Sequence, residues 1–251
     1  MRESLGTLIV TGGSRGIGAA ICRSGAKAGY SVAVNFHSRH AAAERLVEEI
    51  QQSGGSAAAI QADVGREADV LRLFQIAEER LGPLRALVNN AAITGGFARV
   101  ESVEAAMLER LFAVNVAGAM LCAREAVKRL STAHGGGGGS IVNISSRAAK
   151  LGSSGEWVHY AMSKGAIDSL TIGLAREVAR EGIRVNAVAP GLVETDIHSE
   201  AGDPSRPARL AETIPLGRAG TPEEIAAGAI WLLSSDAAYV TGAILEMSGG
   251  R

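Results

Sequence analysis

The sequence predicts an α/β fold in which helices cover both faces of a doubly wound parallel sheet of about seven strands. Short apolar runs rich in β-branched residues alternate with longer helix-like segments, which is the pattern of a parallel sheet. The first run, Thr7–Val10, breaks at once into a glycine-rich turn that opens a helix. The length of 251 residues suits one large domain, residues 1–251, better than two small ones.

Predicted strands and helices alternate along the whole chain. We expect strands at 7–10, 31–36, 57–62, 84–88, 140–144, 183–189 and 243–247. We expect helices at 19–27 and 41–52, from near residue 66, at 123–130, from about Tyr160 to 180, and from Thr221 onward. The five glycines at 135–139 predict a flexible surface loop without a phosphate role, because a strand rather than a helix follows them.

The composition excludes several classes of protein. A net charge of -1 lacks the attraction that drives binding to nucleic acids or acidic membranes. Cys22 and Cys122 each lie in an apolar, helix-like context, so we expect two buried free thiols and no disulfide framework. The spacing of the histidines and cysteines matches no metal site. Residues 1–4 lack the features of a signal peptide, and no apolar run approaches the ~20 residues of a membrane span, so we expect a cytoplasmic location.

The glycine turn at 11–18 predicts a dinucleotide-binding site. A strand, a glycine turn and a helix in this order point a helix N-terminus at a pyrophosphate. Gly12 permits the tight turn, Gly16 lets the backbone approach the phosphates, and Gly18 lets the helix pack close to the strand. The spacing is G-x-x-x-G-x-G rather than the common G-x-G-x-x-G. Glycines also serve ordinary loops, but the position after a first strand favours the binding site.

The end of the second predicted strand favours NADP over NAD. An acidic residue there binds the ribose 2′-hydroxyl of NAD, whereas a basic residue accommodates the 2′-phosphate of NADP. The segment from Asn35 to His40 carries Arg39 and no carboxylate, and Arg15 in the glycine turn adds a second cation. The alternative is that Arg39 is a solvated residue that opens the next helix.

Two further strand ends are candidates for contact with the cofactor. Asp63, followed by Val64, could accept a hydrogen bond from the adenine amino group, or it could be the N-cap of the next helix. Asn89 to Ala92 close the fourth strand, and small residues there let the backbone lie against the cofactor.

The pair Tyr160 and Lys164 is the candidate catalytic centre. One helical turn separates them, and a nearby cation would lower the pKa of the phenol toward neutral pH, which suits a general acid or base. Ser146 follows a strand and could hold a substrate oxygen beside the phenol. A tyrosine and a lysine four residues apart also occur on many solvated helices, so the pair alone is weak evidence.

Together these motifs resemble the short-chain dehydrogenase/reductase family, in its compact single-domain branch, with similarity to 3-oxoacyl-[acyl-carrier-protein] reductases and glucose 1-dehydrogenases. The motifs that carry the resemblance run in order from about residue 5 to the C-terminus: Thr11-Gly12-x-x-x-Gly16-x-Gly18, Asn89-Asn90-Ala91, Asn115, Ser146, Tyr160-x-x-x-Lys164 and Pro190-Gly191. Ala92 departs from the glycine that the family usually has. The resemblance implies a Rossmann-type fold and an NAD(P)-dependent oxidoreductase.

The resemblance also implies the roles of the site residues. Tyr160 would exchange a proton with the substrate oxygen, Lys164 would lower the pKa of Tyr160 and hold the nicotinamide ribose, and Ser146 would orient the substrate. Asn115 would complete a proton relay through water to Lys164, or else be a helix-interior residue with a local hydrogen bond. Ser145 competes with Ser146 for its role. The expected cofactor contacts are Gly12, Ser14, Arg15, Gly16, Ile17, Gly18, Asn35, Arg39, Asp63, Val64, Asn89, Ala91, Tyr160, Lys164, Pro190, Gly191, Val193 and Thr195.

The second half of the chain supplies the substrate side and an assembly surface. Residues 192–219 are rich in Pro, Gly and charge and predict a lid, in which His198, Arg206 and Arg209 either meet a substrate or are solvated. The resemblance implies a homotetramer built on the Tyr160 helix and on the helix near Asn115, with packing inside one subunit as the alternative.

The sequence therefore predicts an NADP-dependent enzyme that interconverts a carbonyl and an alcohol, with a small-molecule substrate and no metal. A 3-oxoacyl-thioester reductase is the specific alternative, in which Lys128, Arg129 and Arg176 could receive an acidic carrier protein or simply be solvated. A sensor or scaffold that binds NADP without turnover is the alternative from another class.

Overall fold

Seven parallel strands form one sheet in the computed structural model, which describes residues 4–251 apart from the side chain of His198. The strands run in the order β3-β2-β1-β4-β5-β6-β7, so the chain winds outward from β1 in one direction and then returns to β4 to wind in the other. The strand bounds are β1 Thr7–Val10, β2 Ser31–Phe36, β3 Ser56–Gln61, β4 Leu84–Asn89, β5 Gly139–Ile144, β6 Ile183–Pro190 and β7 Ile244–Met247. This is the predicted doubly wound sheet.

Helices cover both faces of the sheet. Their bounds are α1 Gly16–Ala28, α2 His40–Gln52, α3 Glu67–Leu81, α4 Ala105–Phe112, α5 Ala119–Leu130, α6 Ala148–Leu151, α7 Val158–Val178, α8 Ile197–Glu200, α9 Arg206–Leu210 and α10 Pro222–Leu233. One apolar core lies between the sheet and α1, α2 and α10, and a second lies between the sheet and α3, α5 and α7. The fold class predicted from the sequence is confirmed.

The element bounds follow the prediction closely except in the middle of the chain. The first two strands have the predicted ends, and α1 begins at Gly16 rather than residue 19, since residues 16–18 belong to its first turn. The helix expected at 123–130 begins much earlier. It runs without a break from α4 through a wide π-helical turn, Ala113–Gly118, into α5.

The continuous segment Ala105–Leu130 is long and apolar enough to cross a membrane, with 26 residues and a mean hydropathy of 1.4. No such run was expected from the sequence. In the fold the segment packs against β4, α3 and α7, which gives its apolar residues a place inside the protein. Core helices pass the same test of length and composition, so the segment is weak evidence for a membrane span.

The glycines at 136–139 are closely packed, whereas Gly135 is exposed with open space where a Cβ atom would lie, so the expected surface loop fits only the start of this run. The amide N of Gly136 donates to Ser131 O at 2.8 Å, and that of Gly138 donates to Leu130 O at 2.8 Å. A Cβ atom on Gly136 would lie 2.4 Å from Arg129 O. The segment needs glycine because the backbone passes too close to the end of α5 for a side chain.

Both cysteines are buried free thiols, as predicted. Burial raises the pKa of each thiol, so neither is a reactive thiolate at neutral pH. Among residues 4–251, no group of three or more His, Cys, Asp and Glu side chains is arranged to hold a metal ion.

Candidate active site

A cleft of about 700 Å³ runs along the C-terminal edge of the sheet, where the connections that follow the neighbouring strands β1 and β4 lead in opposite directions. Ligands of doubly wound sheets bind at this edge and at this switch point. Most of the residues singled out in the sequence lie along the cleft, and Asn89 and Asn115 do not. The predicted residues that line it are Gly12, Ser14, Arg15, Gly16, Ile17, Gly18, Asn35, Arg39, Asp63, Val64, Ala91, Ser146, Tyr160, Lys164, Pro190, Gly191, Val193 and Thr195.

The glycine turn forms a cradle at one end of the cleft. Gly12 and Gly16 have positive φ angles of 61° and 50°, which favour glycine. A Cβ atom on Gly18 would lie 2.3 Å from Gly12 O, so α1 packs against the turn at a distance that only glycine allows. Arg15 stands at the N-cap of α1 and its side chain makes no capping hydrogen bond, so the first-turn N–H groups remain available to an anion.

Two asparagines hold this turn in place. Asn90 Nδ2 donates to Thr11 O at 2.9 Å and to Gly12 O at 3.0 Å. Asn35 Oδ1 accepts from Gly12 N at 3.1 Å, and Asn35 Nδ2 donates to Ala62 O at 3.1 Å. Asn35 was expected to contact the cofactor, whereas its carboxamide is engaged in bracing the backbone. Asn90 belongs to the motif Asn89-Asn90-Ala91 but was not among the expected site residues, although it directly follows β4.

Glu200, in the segment 192–219 that was predicted to be a lid, pairs with the two arginines that were predicted to select the cofactor. Arg15 Nη1 and Nη2 each lie 2.5 Å from a carboxylate oxygen of Glu200, in α8. Arg39 Nη2 lies 2.6 Å from Glu200 Oε1. Burial would raise the pKa of Glu200, but the two arginines lower it overall, so the carboxylate is ionised at neutral pH. Glu200 was not found from the sequence, because nothing local relates it to residues that lie far away along the chain.

Asp63 forms an ion pair instead of a helix cap. Its Oδ1 accepts from Gly65 N at 3.0 Å, and its Oδ2 lies 2.9 Å from Arg110 Nη1. The helix α3 begins at Glu67 with Arg66 at its N-cap, so the N-cap alternative for Asp63 is wrong. Burial raises the pKa of Asp63, but Arg110 and the Gly65 amide lower it overall.

Asn89 faces the interior of the protein rather than the cleft. It is 6% exposed, and its Nδ2 donates to Asn143 Oδ1 at 3.0 Å and to Ala119 O at 3.2 Å. These bonds tie β4 to β5 and to α5. The expectation that Asn89 contacts the cofactor is therefore wrong for its side chain, because the residue is still part of β4 and only the next residues reach the cleft.

Three strand-end residues close the cleft from the side of the lid. Gly191 follows β6, and a Cβ atom on it would lie 2.7 Å from Ser248 Cα. Val193 is buried and forms a parallel bridge with Gly220. The methyl group of Thr195 lies over the glycine turn, 3.3 Å from where a Cβ atom on Gly16 would be.

Tyr160 and Lys164 lie one turn apart on α7, and both are buried at the other end of the cleft. The Ser146 hydroxyl lies close enough to the phenol of Tyr160 to influence its pKa, and both residues line the cleft. Ser145 Oγ turns away and donates to Asp168 Oδ1 at 2.5 Å. The geometry therefore favours Ser146 over Ser145 as the partner of the phenol.

The pKa of Tyr160 shifts in the direction opposite to the expectation. Burial raises the pKa of Tyr160 to about 12, although the hydrogen bond with Ser146 opposes the rise. Burial also lowers the pKa of Lys164 to about 8, against the opposing charge of Asp168. Lys164 Nζ donates to Ile144 O at 2.6 Å and lies 5.7 Å from the centre of the Tyr160 ring. The predicted fall in the pKa of Tyr160 is therefore absent in the protein alone.

Asn115 lies in the π-helical turn, 2% exposed and outside the cleft lining. Its Oδ1 accepts from Ile93 N at 2.9 Å, and its Nδ2 donates to Ile93 O at 2.9 Å and to Ser163 Oγ at 3.0 Å. These bonds reach the loop after β4 and the helix α7, so the alternative of a purely local hydrogen bond is wrong. π-helical turns of this kind are frequent at functional sites.

An aromatic and charged cluster of Glu156, Trp157 and Arg206 lines the cleft near Tyr160. The Arg206 guanidinium lies 4.7 Å from the centre of the Trp157 ring, and Arg206 Nη2 lies 2.5 Å from Glu156 Oε2. Arg206 is 7% exposed, so the expectation of a solvated residue is wrong for it. Arg209 is exposed and pairs with Asp203, whereas the side chain of His198 lies outside the described residues. Trp157 was not identified from the sequence as a residue of the cleft, although its position three residues before Tyr160 could have indicated it.

Residues 12–251 match the family described as enoyl-(acyl carrier protein) reductase. A protein of Escherichia coli K12 named uncharacterized oxidoreductase YgfF is 48% identical over 243 residues, which cover 97% of this chain and 98% of that protein. The solved structure of a mutant short-chain dehydrogenase/reductase from Serratia marcescens is similar with a TM-score of 0.90 and 35% identity, over 98% of each chain. The chain belongs to the short-chain dehydrogenase/reductase family. It is an oxidoreductase of that family.

A further similar structure of 35% identity and TM-score 0.90, covering 98% of each chain, is a blue fluorescent protein from a metagenomic library in complex with NADPH. The residues of this short-chain dehydrogenase/reductase fit such a dinucleotide. The cradle at Gly12 and Gly18 leaves no room for a Cβ atom, and the open first turn of α1 suits a pyrophosphate. Arg15 and Arg39 stand where a 2′-phosphate would be recognised.

Proposed function

We propose that the protein is an NADP(H)-dependent oxidoreductase that interconverts a carbonyl compound and a secondary alcohol. The observation that carries this proposal is the placement of Ser146 beside Tyr160, which is buried with Lys164 in the cleft that also holds the glycine cradle. A proton donor and a phosphate cradle in one cleft are the parts that a carbonyl reductase needs.

The catalytic set comprises Asn115, Ser146, Tyr160 and Lys164. The bound nicotinamide supplies or accepts the hydride. Tyr160, with a pKa of about 12, is protonated at neutral pH and therefore donates its proton to the carbonyl oxygen during reduction. Ser146 holds the same oxygen and stabilises the charge that develops on it.

Lys164 and Asn115 support these two residues. With a pKa of about 8, Lys164 is mostly charged at pH 7, and it holds the nicotinamide ribose and stabilises the ionised phenol when an alcohol is oxidised. Asn115 fixes Ile93 and Ser163 in position, and a water held near it connects Lys164 to solvent.

The cofactor is NADP rather than NAD. Arg15 and Arg39 bind the 2′-phosphate, and the end of β2 offers no carboxylate to a 2′-hydroxyl. The remaining contacts come from the glycine turn and from Asp63, Val64 and Ala91. Titration of the purified protein with each cofactor tests this proposal, and tighter binding of NAD than of NADP would overturn it.

The substrate is a small molecule that enters between the catalytic pair and the lid at 192–219. Trp157 and Arg206 border its site. The description of the matching family favours an acyl thioester as one specific substrate class, so a 3-oxoacyl-thioester reductase is the second candidate. Docking of an acidic carrier on α5 is disfavoured, because Lys128 and Arg129 already form ion pairs with Glu125 and Glu78.

The first test is NADPH oxidation by the purified protein against a panel of carbonyl compounds, with NADH in parallel. The panel contains an acetoacetyl thioester, an enoyl thioester, diketones, aldoses and cyclic ketones. Turnover of one class with NADPH identifies the substrate class. Tight binding of NADPH without turnover of any compound would favour a sensor or scaffold over an enzyme.

The protein acts as a homotetramer in the cytoplasm. Large apolar side chains lie exposed on α5 and α7, with Met120 at 53%, Met162 at 52% and Ile172 at 37% of full exposure. Such side chains on neighbouring helices are covered when two copies associate. Measurement of the molar mass in solution tests the assembly, and a monomer would count against it.

A further inference from the structure

Glu200 makes the same contacts with the glycine turn and β2 that a 2′-phosphate would make. Its two carboxylate oxygens bind Arg15 in the paired geometry that arginine also offers to phosphate, at 2.5 Å each. One of these oxygens also binds Arg39 at 2.6 Å. Both arginines that distinguish NADP from NAD are therefore neutralised by one side chain of the lid.

Other acidic groups do not share this position. Asp196 Oδ2 lies 3.8 Å from Arg15 Nη1, which is beyond hydrogen-bonding distance. Asp63 pairs with Arg110, and its other basic neighbour is His37, whose Nε2 lies 3.9 Å from Asp63 Oδ2. Glu200 is the carboxylate with direct hydrogen bonds to both arginines among the contacts of the described residues.

We propose that Glu200 is a cofactor-selecting residue of the lid, which competes with the 2′-phosphate of NADP for Arg15 and Arg39. The proposal rests on the proposed function. A phosphate can bind the two arginines only after the carboxylate leaves them, because two anions at one site repel each other. NAD carries a hydroxyl at this position, so Glu200 stays in place and can accept a hydrogen bond from it.

Glu200 therefore lowers the preference for NADP that the two arginines create. Displacing Glu200 from the two arginines costs free energy when NADP binds, and this cost is absent when NAD binds. The side chains of Arg15, Glu200 and Arg39 are between one third and one half exposed, so the ion pairs are partly screened. We expect an effect of about fivefold on NADP binding from ion pairs of this kind.

The test compares Glu200→Gln with the wild-type protein by calorimetric titration. The substitution keeps the shape of the side chain and removes its charge. We expect NADP to bind about fivefold more tightly, and NAD to bind equally well or more weakly. Tightening of both cofactors in parallel would show a general charge effect and overturn the proposal, as would an unchanged affinity for NADP.

Fragments of the cofactor locate the effect at the 2′-phosphate. Adenosine 2′,5′-bisphosphate carries this phosphate and 5′-AMP lacks it, and neither carries a nicotinamide. We expect Glu200→Gln to tighten binding of the bisphosphate and to leave 5′-AMP within about twofold of wild type. A change of the same size for both fragments would contradict the proposal.

Two further variants serve as controls. Glu212→Gln removes the same charge from an exposed position of the same lid, and we expect no change in the preference between the cofactors. In the Arg15→Ala/Arg39→Ala background, Glu200→Gln should change NADP binding no further, because its partners are absent. A fivefold effect in that background would overturn the competition.

The outcomes separate the inference from the proposed function. If the wild-type protein binds neither dinucleotide, the proposed function fails and the inference fails with it. If the wild-type protein binds NADP and Glu200→Gln binds it equally well, only the inference fails.

Discussion

At the scale of single residues, burial dominates the properties of Tyr160 and Lys164 at their end of the cleft. Tyr160 and Lys164 are 8% and 3% exposed, and burial moves the pKa of each toward its neutral form. The phenol of Tyr160 is therefore protonated at neutral pH, and the ammonium of Lys164 loses its proton near pH 8. This state suits proton donation to a carbonyl oxygen.

Tyr160→Phe removes the proposed acid and little else. We expect turnover to fall at least about a hundredfold, because general acids contribute factors of this size or larger. The dissociation constant for NADP should stay within about twofold, since the phenol oxygen is one contact among many. Steady-state kinetics and cofactor titration check the two parts, and a variant that retains activity would contradict the mechanism.

Lys164→Met should stabilise the protein at pH 7 while abolishing turnover. The pKa of Lys164 falls from 10.5 to about 8 on folding, so the buried charge costs roughly 3 kcal/mol below pH 8. Methionine avoids this cost but loses the bond to Ile144 O, so we expect a net gain of about 1–3 kcal/mol in the free energy of unfolding.

The pH dependence of this gain gives the control. The unfolded chain binds more protons than the folded one between pH 8 and 10.5, so the wild-type protein recovers stability as the pH rises through that range. The advantage of Lys164→Met should therefore shrink to about half or less at about pH 9.5. Urea unfolding at both pH values measures it, and a gain that grows with pH would contradict the assignment.

Sequence reasoning identified Tyr160, Lys164 and Ser146 because their spacing and their place after predicted elements carry the signal. It missed Glu200 and misjudged Arg206, since their partners lie far away along the chain. The direction in which the pKa of Tyr160 shifts could not be predicted from the sequence either, because it depends on the burial of the phenol and not on the neighbouring lysine alone. Asn89 was misplaced because the last residue of a strand can face either side.

At the scale of elements, the lid is held at two points. Its first helix, α8, is tied through Glu200 to Arg15 and Arg39, the N-cap residues of α1 and α2. Its second helix, α9, is tied to the segment before α7 through Arg206. The second contact is buried and combines an ion pair with stacking on Trp157. Opening of the substrate side therefore requires that Arg206 leave Glu156 and Trp157.

Arg206→Leu should loosen the lid without unfolding the protein. The substitution leaves Glu156 without its partner and removes the stacked cation, so we expect hydrogen exchange of the amides at 197–213 to speed up about tenfold. Arg209→Leu is the matched control, since Arg209 pairs with Asp203 at an exposed position of the same helix. Equal exchange in the two variants would contradict the role of Arg206.

The strands were the easiest elements to predict, because buried parallel strands such as β1 and β2 are short apolar runs that end in glycine or polar residues. The glycines at 135–139 misled the prediction, because their composition is that of a linker while their backbone packs against α5. The π-helical turn was also missed, since its residues have the apolar pattern of an ordinary helix.

At the scale of the whole molecule, the doubly wound sheet followed from the alternation of strands and helices, whereas the proposed tetramer would depend on a surface that one chain does not cover. Gly165 and Gly173 lie on α7, and no atom outside the helix's own nearby backbone comes within 4 Å of a Cβ atom added to either. In a single chain both positions therefore have room for a methyl group.

Gly165→Ala separates the monomer from the proposed tetramer. Alanine stabilises a helix interior by about 1 kcal/mol relative to glycine, so a monomeric protein would become more stable. In the tetramer the methyl group obstructs the approach of a second helix, so we expect the mass to fall below about four times the 25.7 kDa of one chain. Light scattering measures the mass, and Glu48→Ala on the opposite face of the sheet is the control.

The wide turn at Ala113–Gly118 places one more residue in the helix than a regular path would need. Deleting one residue from this turn would let a regular helix follow the same path, with α4 and α5 kept in place. The widened backbone that brings Asn115 to Ile93 and Ser163 would be lost, and the loop after β4 would lose its brace. The extra residue of the turn, and not only the identity of Asn115, therefore shapes this part of the cleft.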